Sequence, residues 1–216
     1  FVHGLNPSGR LNHAYQTWTH AENTIPWPYE LLPEDFPQAR ISIFGYNSSV
    51  TRGGSQARIS DHATNLLDEL QWKRERGDGD HNRIPIIFFG HSLGGLVIKE
   101  ALLIAKENTR YSPTWAAAFG LVFFGTPHRG GNNGVLEEVV ARVAKFLAQD
   151  TTDNDLLTCL KPNSLFTERS GQRFSLQQEK YEVLTFFETK ETSFFGVSKV
   201  LKLQAQHCRT CLANFY

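Results

Sequence analysis

Methionine is absent from the 216 residues, cysteine occurs three times, and charge of neither sign is in excess. Lys and Arg number 22 and Asp and Glu number 22, so the formal net charge is zero. Nucleic acids and anionic membrane surfaces recruit proteins through a basic field, which this composition does not supply. No apolar run approaches the roughly 18 residues that a membrane-crossing helix needs. The best stretches, Ile84–Phe89 and Ala116–Phe124, are too short to span a bilayer. Cys159, Cys208 and Cys211 are odd in number and form no disulfide framework, which favours a reducing, intracellular (cytoplasmic) compartment. A translated chain starts with Met, so Phe1 is expected to follow missing residues, and the sheet to lack its first strands.

What is there reads as globular: 40% of residues are hydrophobic and 20% charged. The length suits one domain over residues 1–216 with a sizeable core. No internal repeat or low-complexity tract interrupts it. Phe1-Val2 reads as the end of a strand entering His3-Gly4-Leu5. Residues 6–36 read as a loop with a short helix near Tyr29–Leu32. Ala39–Phe44 alternates and ends at Gly45, a strand signal. Ile59, Ala63, Leu66, Leu67 and Leu70 recur at helical spacing within Ser55–Lys73. Residues 74–83 read as a polar loop. Ile86–Phe89 is apolar without alternation, the pattern of a strand covered on both faces. Leu96–Lys106 reads as a helix and Phe119–Phe124 as a second buried strand. Asn133 can cap a helix over 134–148, and 155–180 reads as one or two helices broken at Pro162. Val183–Phe187 and, more weakly, Val200–Leu203 complete the strands. Strands alternating with helices predict an α/β fold with a mainly parallel sheet flanked by helices.

Gly90-His91-Ser92-Leu93-Gly94 is a G-x-S-x-G between the strand at Ile86–Phe89 and the following helix. That placement is the context of a nucleophile elbow. Such a turn predicts a strained backbone at Ser92. Gly90 and Gly94 lack Cβ atoms and let strand and helix approach. Ser92 then stands at a helix N-terminus, where N–H groups favour developing negative charge. A phosphate-binding loop would need a Walker lysine, which is missing.

A serine hydroxyl needs a base and an orienting acid. In this fold both follow the nucleophile in the chain, which leaves His128 and His207 for the base. Glu188, just past Val183–Phe187, is the best placed acid, with Glu191 behind it. His3-Gly4-Leu5 matches the loop that supplies a second oxyanion donor, so the backbone N–H groups of Leu5 and Leu93 are the expected oxyanion hole. His3 and His91 read as supporting groups around the turn, Gly4 as the residue that brings bare backbone to the substrate, and His128 as a support if His207 is the base.

These blocks resemble the serine-esterase, lipase-like branch of the α/β-hydrolases. That branch includes serine-active-site-containing proteins and the N-terminal domains of fungal NLR-type proteins. The similar segments are FVHGLN (1–6), ARISIFGYN (39–47), FFGHSLGGLVIKEAL (88–102), LVFFGTPHRGG (121–131) and VLTFFETKET (183–192). The resemblance implies the α/β-hydrolase fold, Ser92 as nucleophile and Glu188 as acid. LQAQHCRTC (203–211) resembles the family's ending, with a histidine and a cysteine four residues later, and implies His207 as base. Two departures stand out. Gln206 replaces an acidic residue, and the segment 189–206 is shorter than the family's.

The expected activity is therefore hydrolysis of carboxylic, lipid or acyl esters through an acyl-enzyme on Ser92, a role in lipid metabolism, with no metal or organic cofactor. His207-Cys208-x-x-Cys211 offers too few ligands for a structural zinc site. The expected partner is a small-molecule or lipid ester, with no nucleic acid and no membrane span. A second expectation comes from the same resemblance. It is a weak or inactive hydrolase-like signalling module of a longer chain with nucleotide-binding and repeat regions.

Overall fold

The computed structural model describes residues 1–6, 9–20, 22–49, 57–76, 84–126, 165–188 and 203–207. Residues 127–164 lie outside that set, and with them the helix expected at 134–148 and His128. So do Glu191, Cys159, Cys208 and Cys211.

Among the described residues four strands form one sheet: β1 (Ile86–His91), β2 (Ala118–Phe124), β3 (Glu182–Glu188) and β4 (Leu203–His207), in spatial order β1-β2-β3-β4. The first three run parallel and β4 runs antiparallel to β3. Val2 extends the sheet beyond β1, with parallel bridges to Gly90 on one side and Phe44 on the other. The Val2 N–H donates to the Phe89 carbonyl at 2.7 Å, and the His91 N–H donates to the Val2 carbonyl at 3.0 Å. The strand expected over Ala39–Phe44 reduces to this bridge at Phe44. Beside the bridge, the Phe44 N–H donates to the Phe1 carbonyl at 2.8 Å.

Among the described residues the segment between Val2 and Phe44 carries three one-turn helices, α1 (His13–Gln16), α2 (Trp27–Glu30) and α3 (Leu32–Asp35), where one was expected. Helix α4 (Ile59–Glu75) begins where the Arg58 N–H donates to the Asp61 carboxylate at 2.8 Å, an acidic group in the first turn. Its expected stripe is buried at Ile59, Ala63, Leu66 and Leu67. Helix α5 (Leu93–Glu107) starts three residues earlier than its apolar run suggests, because it opens on the turn at Ser92. Helix α6 (Ser112–Ala117) leads into β2 and α7 (Leu165–Ser175) precedes β3.

Helices α4, α5 and α7 pack on one face of the sheet, meeting Phe88, Leu121, Phe123 and Val183 in the core. The other face carries Phe89, His91, Phe124 and Phe186. Trp18 and Trp27 cover it near the strands' C-terminal ends, with Trp18 edge-on to Phe124 at 5.9 Å. Toward the opposite ends, Ile87 and Phe119 are 51% and 53% exposed. The expectation that β1 is covered on both faces therefore holds only for its C-terminal half, because the long described helices gather on one side. The last strand also departs from expectation: β4 occupies 203–207, so His207 lies within it rather than after it.

Candidate active site

The C-terminal ends of the parallel strands build the site. Ser92 follows β1 directly, with φ 51° and ψ −120°, and is the one non-glycine residue with positive φ among the described residues. Such a conformation costs about 1–3 kcal/mol and persists only where its surroundings impose it. Here the Ser92 N–H donates to the Phe124 carbonyl at 2.8 Å, and the Gly95 N–H donates to the Ser92 carbonyl at 3.1 Å. The turn is thus tied to the neighbouring strand on one side and to its own helix on the other. The Ser92 side chain is half-buried at the opening of α5.

Three glycines make this packing sterically possible. A β-carbon on Gly94 would lie 2.3 Å from the Val2 carbonyl oxygen, and one on Gly90 would lie 2.7 Å from Gly95 Cα. One on Gly4 would lie 2.9 Å from His91 Nδ1 and 3.0 Å from Ser92 Cβ. The His3-Gly4-Leu5 loop therefore lies directly against the serine turn. Leu93 is the first residue of α5, so its N–H belongs to the helical amides that lack an intrahelical acceptor. Among the described residues neither the Leu5 nor the Leu93 N–H donates to a backbone carbonyl.

His3 is 2% exposed and held from three sides. Its Nδ1 lies 2.8 Å from the Gly4 carbonyl oxygen, which can only accept, so Nδ1 carries the proton. Nε2 then accepts from the Tyr46 N–H at 3.2 Å. The Tyr46 ring stacks on the imidazole at 4.4 Å, and its hydroxyl donates to the His3 carbonyl at 2.9 Å. Burial pushes the imidazole down to about pKa 4, so His3 stays neutral at physiological pH. His91 lies under Trp18, ring centroids 6.4 Å apart.

The proposed acid and base fall at different levels of the sheet. His91, Phe124 and Phe186 share one row, which sets Glu188 at the same C-terminal edge as Ser92. Two strand spacings, roughly 10 Å, separate the two backbones. His207 pairs with Leu184, which shares a row with Val122 and Phe89. That row lies three residues before Ser92 and three strands across, a backbone separation on the order of 15 Å or more. The register thus brings Ser92 and Glu188 to one edge and leaves His207 toward the opposite end of β4.

Tyr46, Ser48 and Thr126 surround the turn and escaped the sequence reading. Ser48 is fully buried and its hydroxyl donates to the Gly4 carbonyl at 2.8 Å. Thr126 lies so close to Gly95 that a β-carbon there would stand 2.1 Å from its Oγ1. The TPHRG block around Thr126 and the ARISIFGYN block that holds Tyr46 carried a sequence signal; Ser48 sits in a polar stretch just past it, without one. Among the described residues no three His, Cys, Asp or Glu side chains gather as metal ligands would. No helix among them is long and apolar enough to cross a membrane.

No protein-family model matches the chain, and no solved structure matches it significantly. Curated proteins do. The chain is 27% identical to Protein SERAC1 of Bos taurus over 220 residues, covering 93% of this chain and 31% of that protein. It is 27% identical to Protein SERAC1 of Homo sapiens over 220 residues, 93% of this chain and 31% of that protein. With Protein SERAC1 of Danio rerio the identity is 24% over 221 residues, 95% of this chain and 32% of that protein. The chain spans about a third of the length of these relatives, and the likeness is that of a distant hydrolase-like homologue.

Proposed function

We propose that the chain is an α/β-hydrolase domain, of the serine-active-site-containing branch, that cleaves carboxylic esters through an acyl-enzyme on Ser92. The observation that carries this reading is the Ser92 backbone, φ 51° at a strand-to-helix turn with Gly4 pressed against it. The similarity to Protein SERAC1 over nearly the whole chain supports a hydrolase-like relation. Ser92 Oγ attacks the ester carbonyl while a histidine takes its proton. Glu188 holds the imidazole tautomer and stabilises the imidazolium. The Leu5 and Leu93 amides receive the tetrahedral oxyanion, each such donor being typically worth about 3 kcal/mol of barrier. The imidazolium then protonates the leaving alkoxide, and water deacylates Ser92 by the same route. No metal or organic cofactor enters this chemistry, and the substrate class is a lipid or acyl ester.

For the base we propose His207, which reaches the Ser92–Glu188 edge only if β4 leaves its present register. His128 stands second, two residues past Thr126, which packs on the serine turn. Labelling with a fluorophosphonate probe tests the assignment. The wild type is expected to label, Ser92→Ala to lose all labelling, and His207→Ala to lose most of it. Retained labelling in Ser92→Ala overturns the reading, and loss in His128→Ala alone moves the base to His128. The register of β4 also favours a second reading, a hydrolase-like module with a weak or unassembled triad inside a longer chain. A folded wild-type protein that takes no probe would establish it.

A further inference from the structure

The Gly4–Leu5 peptide is held in a way that bears on one bond alone, its Leu5 N–H. The Gly4 carbonyl accepts two hydrogen bonds, from Ser48 Oγ at 2.8 Å and from His3 Nδ1 at 2.8 Å. Both donors are buried, Ser48 at 0% and His3 at 2% exposure, so water does not compete for the carbonyl. Ser48 grips the loop a second time through its own carbonyl, which accepts from the Asn6 N–H at 3.2 Å. The residues on either side of Leu5 are therefore fastened to Ser48. A trans peptide is planar, so fixing the direction of C=O fixes the opposite direction of N–H. Two donors on one carbonyl also withdraw charge through the amide and strengthen its N–H as a donor. Oxyanion stabilisation depends on donors oriented before charge develops.

We propose that Ser48 is a positioning residue for the oxyanion hole: its hydroxyl, with His3 Nδ1, aims and polarises the Leu5 amide at the oxyanion that forms on Ser92. This rests on the reading of Ser92 as nucleophile. The Ser48 hydroxyl is spent on a carbonyl that His3 already satisfies, so simple hydrogen-bond satisfaction does not require it. The hydrogen bonds of Ser48 run to the Gly4 carbonyl and from the Asn6 N–H, so Ser48 acts on the loop rather than on Ser92 or the Leu93 donor.

The test compares wild type, Ser48→Ala, Ser48→Thr and Ser92→Ala. Two quantities are read: the rate of fluorophosphonate labelling, and kcat and KM on a short-chain p-nitrophenyl ester. Ser48→Ala is expected to lower the labelling rate and kcat about 10-fold with KM within twofold, below the roughly 100- to 1000-fold cost of deleting a donor outright. Ser48→Thr, which keeps the hydroxyl, is expected to recover most of the rate. The Leu5 amide proton shift, read by NMR on the same proteins, is expected to move upfield in Ser48→Ala and not in Ser92→Ala. Labelling of Ser48→Ala at the wild-type rate, a loss confined to KM, or an unmoved Leu5 shift overturns the proposal while leaving Ser92 as nucleophile. A wild type that does not label overturns the esterase reading, and this proposal with it.

Discussion

Replacing Gly94 by alanine isolates the contact on which the site depends. The added carbon would stand 2.3 Å from the Val2 carbonyl oxygen and 2.4 Å from that of His3, both backbone atoms. Neither can rotate aside. Val2 is locked by its bonds to Phe89 and His91, so the clash must open the gap between α5 and the His3-Gly4-Leu5 loop by about an ångström. Overpacking of this kind costs about 1–3 kcal/mol. The better helix propensity of alanine returns about 1 kcal/mol of unfolded-chain and helix terms. A net loss of up to about 2 kcal/mol corresponds to a fall in Tm of as much as roughly 4–8 °C for a chain of this size. The loop carrying the Leu5 amide moves with the clash, so fluorophosphonate labelling should slow at least 10-fold. Gly45→Ala is the control: its carbon would meet only Ala14 Cβ at 3.7 Å, an ordinary contact. Thermal melts and labelling time courses on both variants decide the matter. A Gly94→Ala protein with wild-type Tm and wild-type labelling would refute the close approach.

Two further outcomes follow from the same geometry. Ser92→Gly is expected to stabilise the protein by about 1 kcal/mol, by releasing a side-chain residue from φ 51°, while abolishing labelling; chemical denaturation reads the first effect, and a less stable variant would contradict the strain. For pH, the folded His3 titrates near 4 and an unfolded histidine near 6.5. Between those values the unfolded state binds the extra proton, so stability falls as pH drops from about 6.5 to 4, by on the order of 3 kcal/mol. Burial lowers His13 and His62 as well, and they act in the same direction. Denaturant midpoints that stay level from pH 7 to 4.5 would show that His3 is not held neutral.

Much of this protein was legible in its residues because the relevant forces are local. Apolar periodicity placed α4, α5, β1, β2 and β3, since burying a stripe or a run is a property of the segment. Gly90-His91-Ser92-Leu93-Gly94 announced the strained turn, since only glycines at those positions admit the approach that the fold makes. The Tyr46 and Ser48 contacts were not legible. They depend on two loops, after Val2 and after Phe44, running side by side, and nothing in either loop names the other. The strand expected at 39–44 appears as a single bridge from Phe44 to Val2, a pairing across the chain that alternation in the segment does not specify. The direction of β4 was beyond sequence as well. The residues of a five-residue strand do not specify its sense, and the choice is made by its pairing with the neighbouring strand. That choice sets His207 toward the end of β4 away from the edge shared by Ser92 and Glu188. Local chemistry thus set the strained turn at Ser92, whereas long-range pairing decided which groups stand near it.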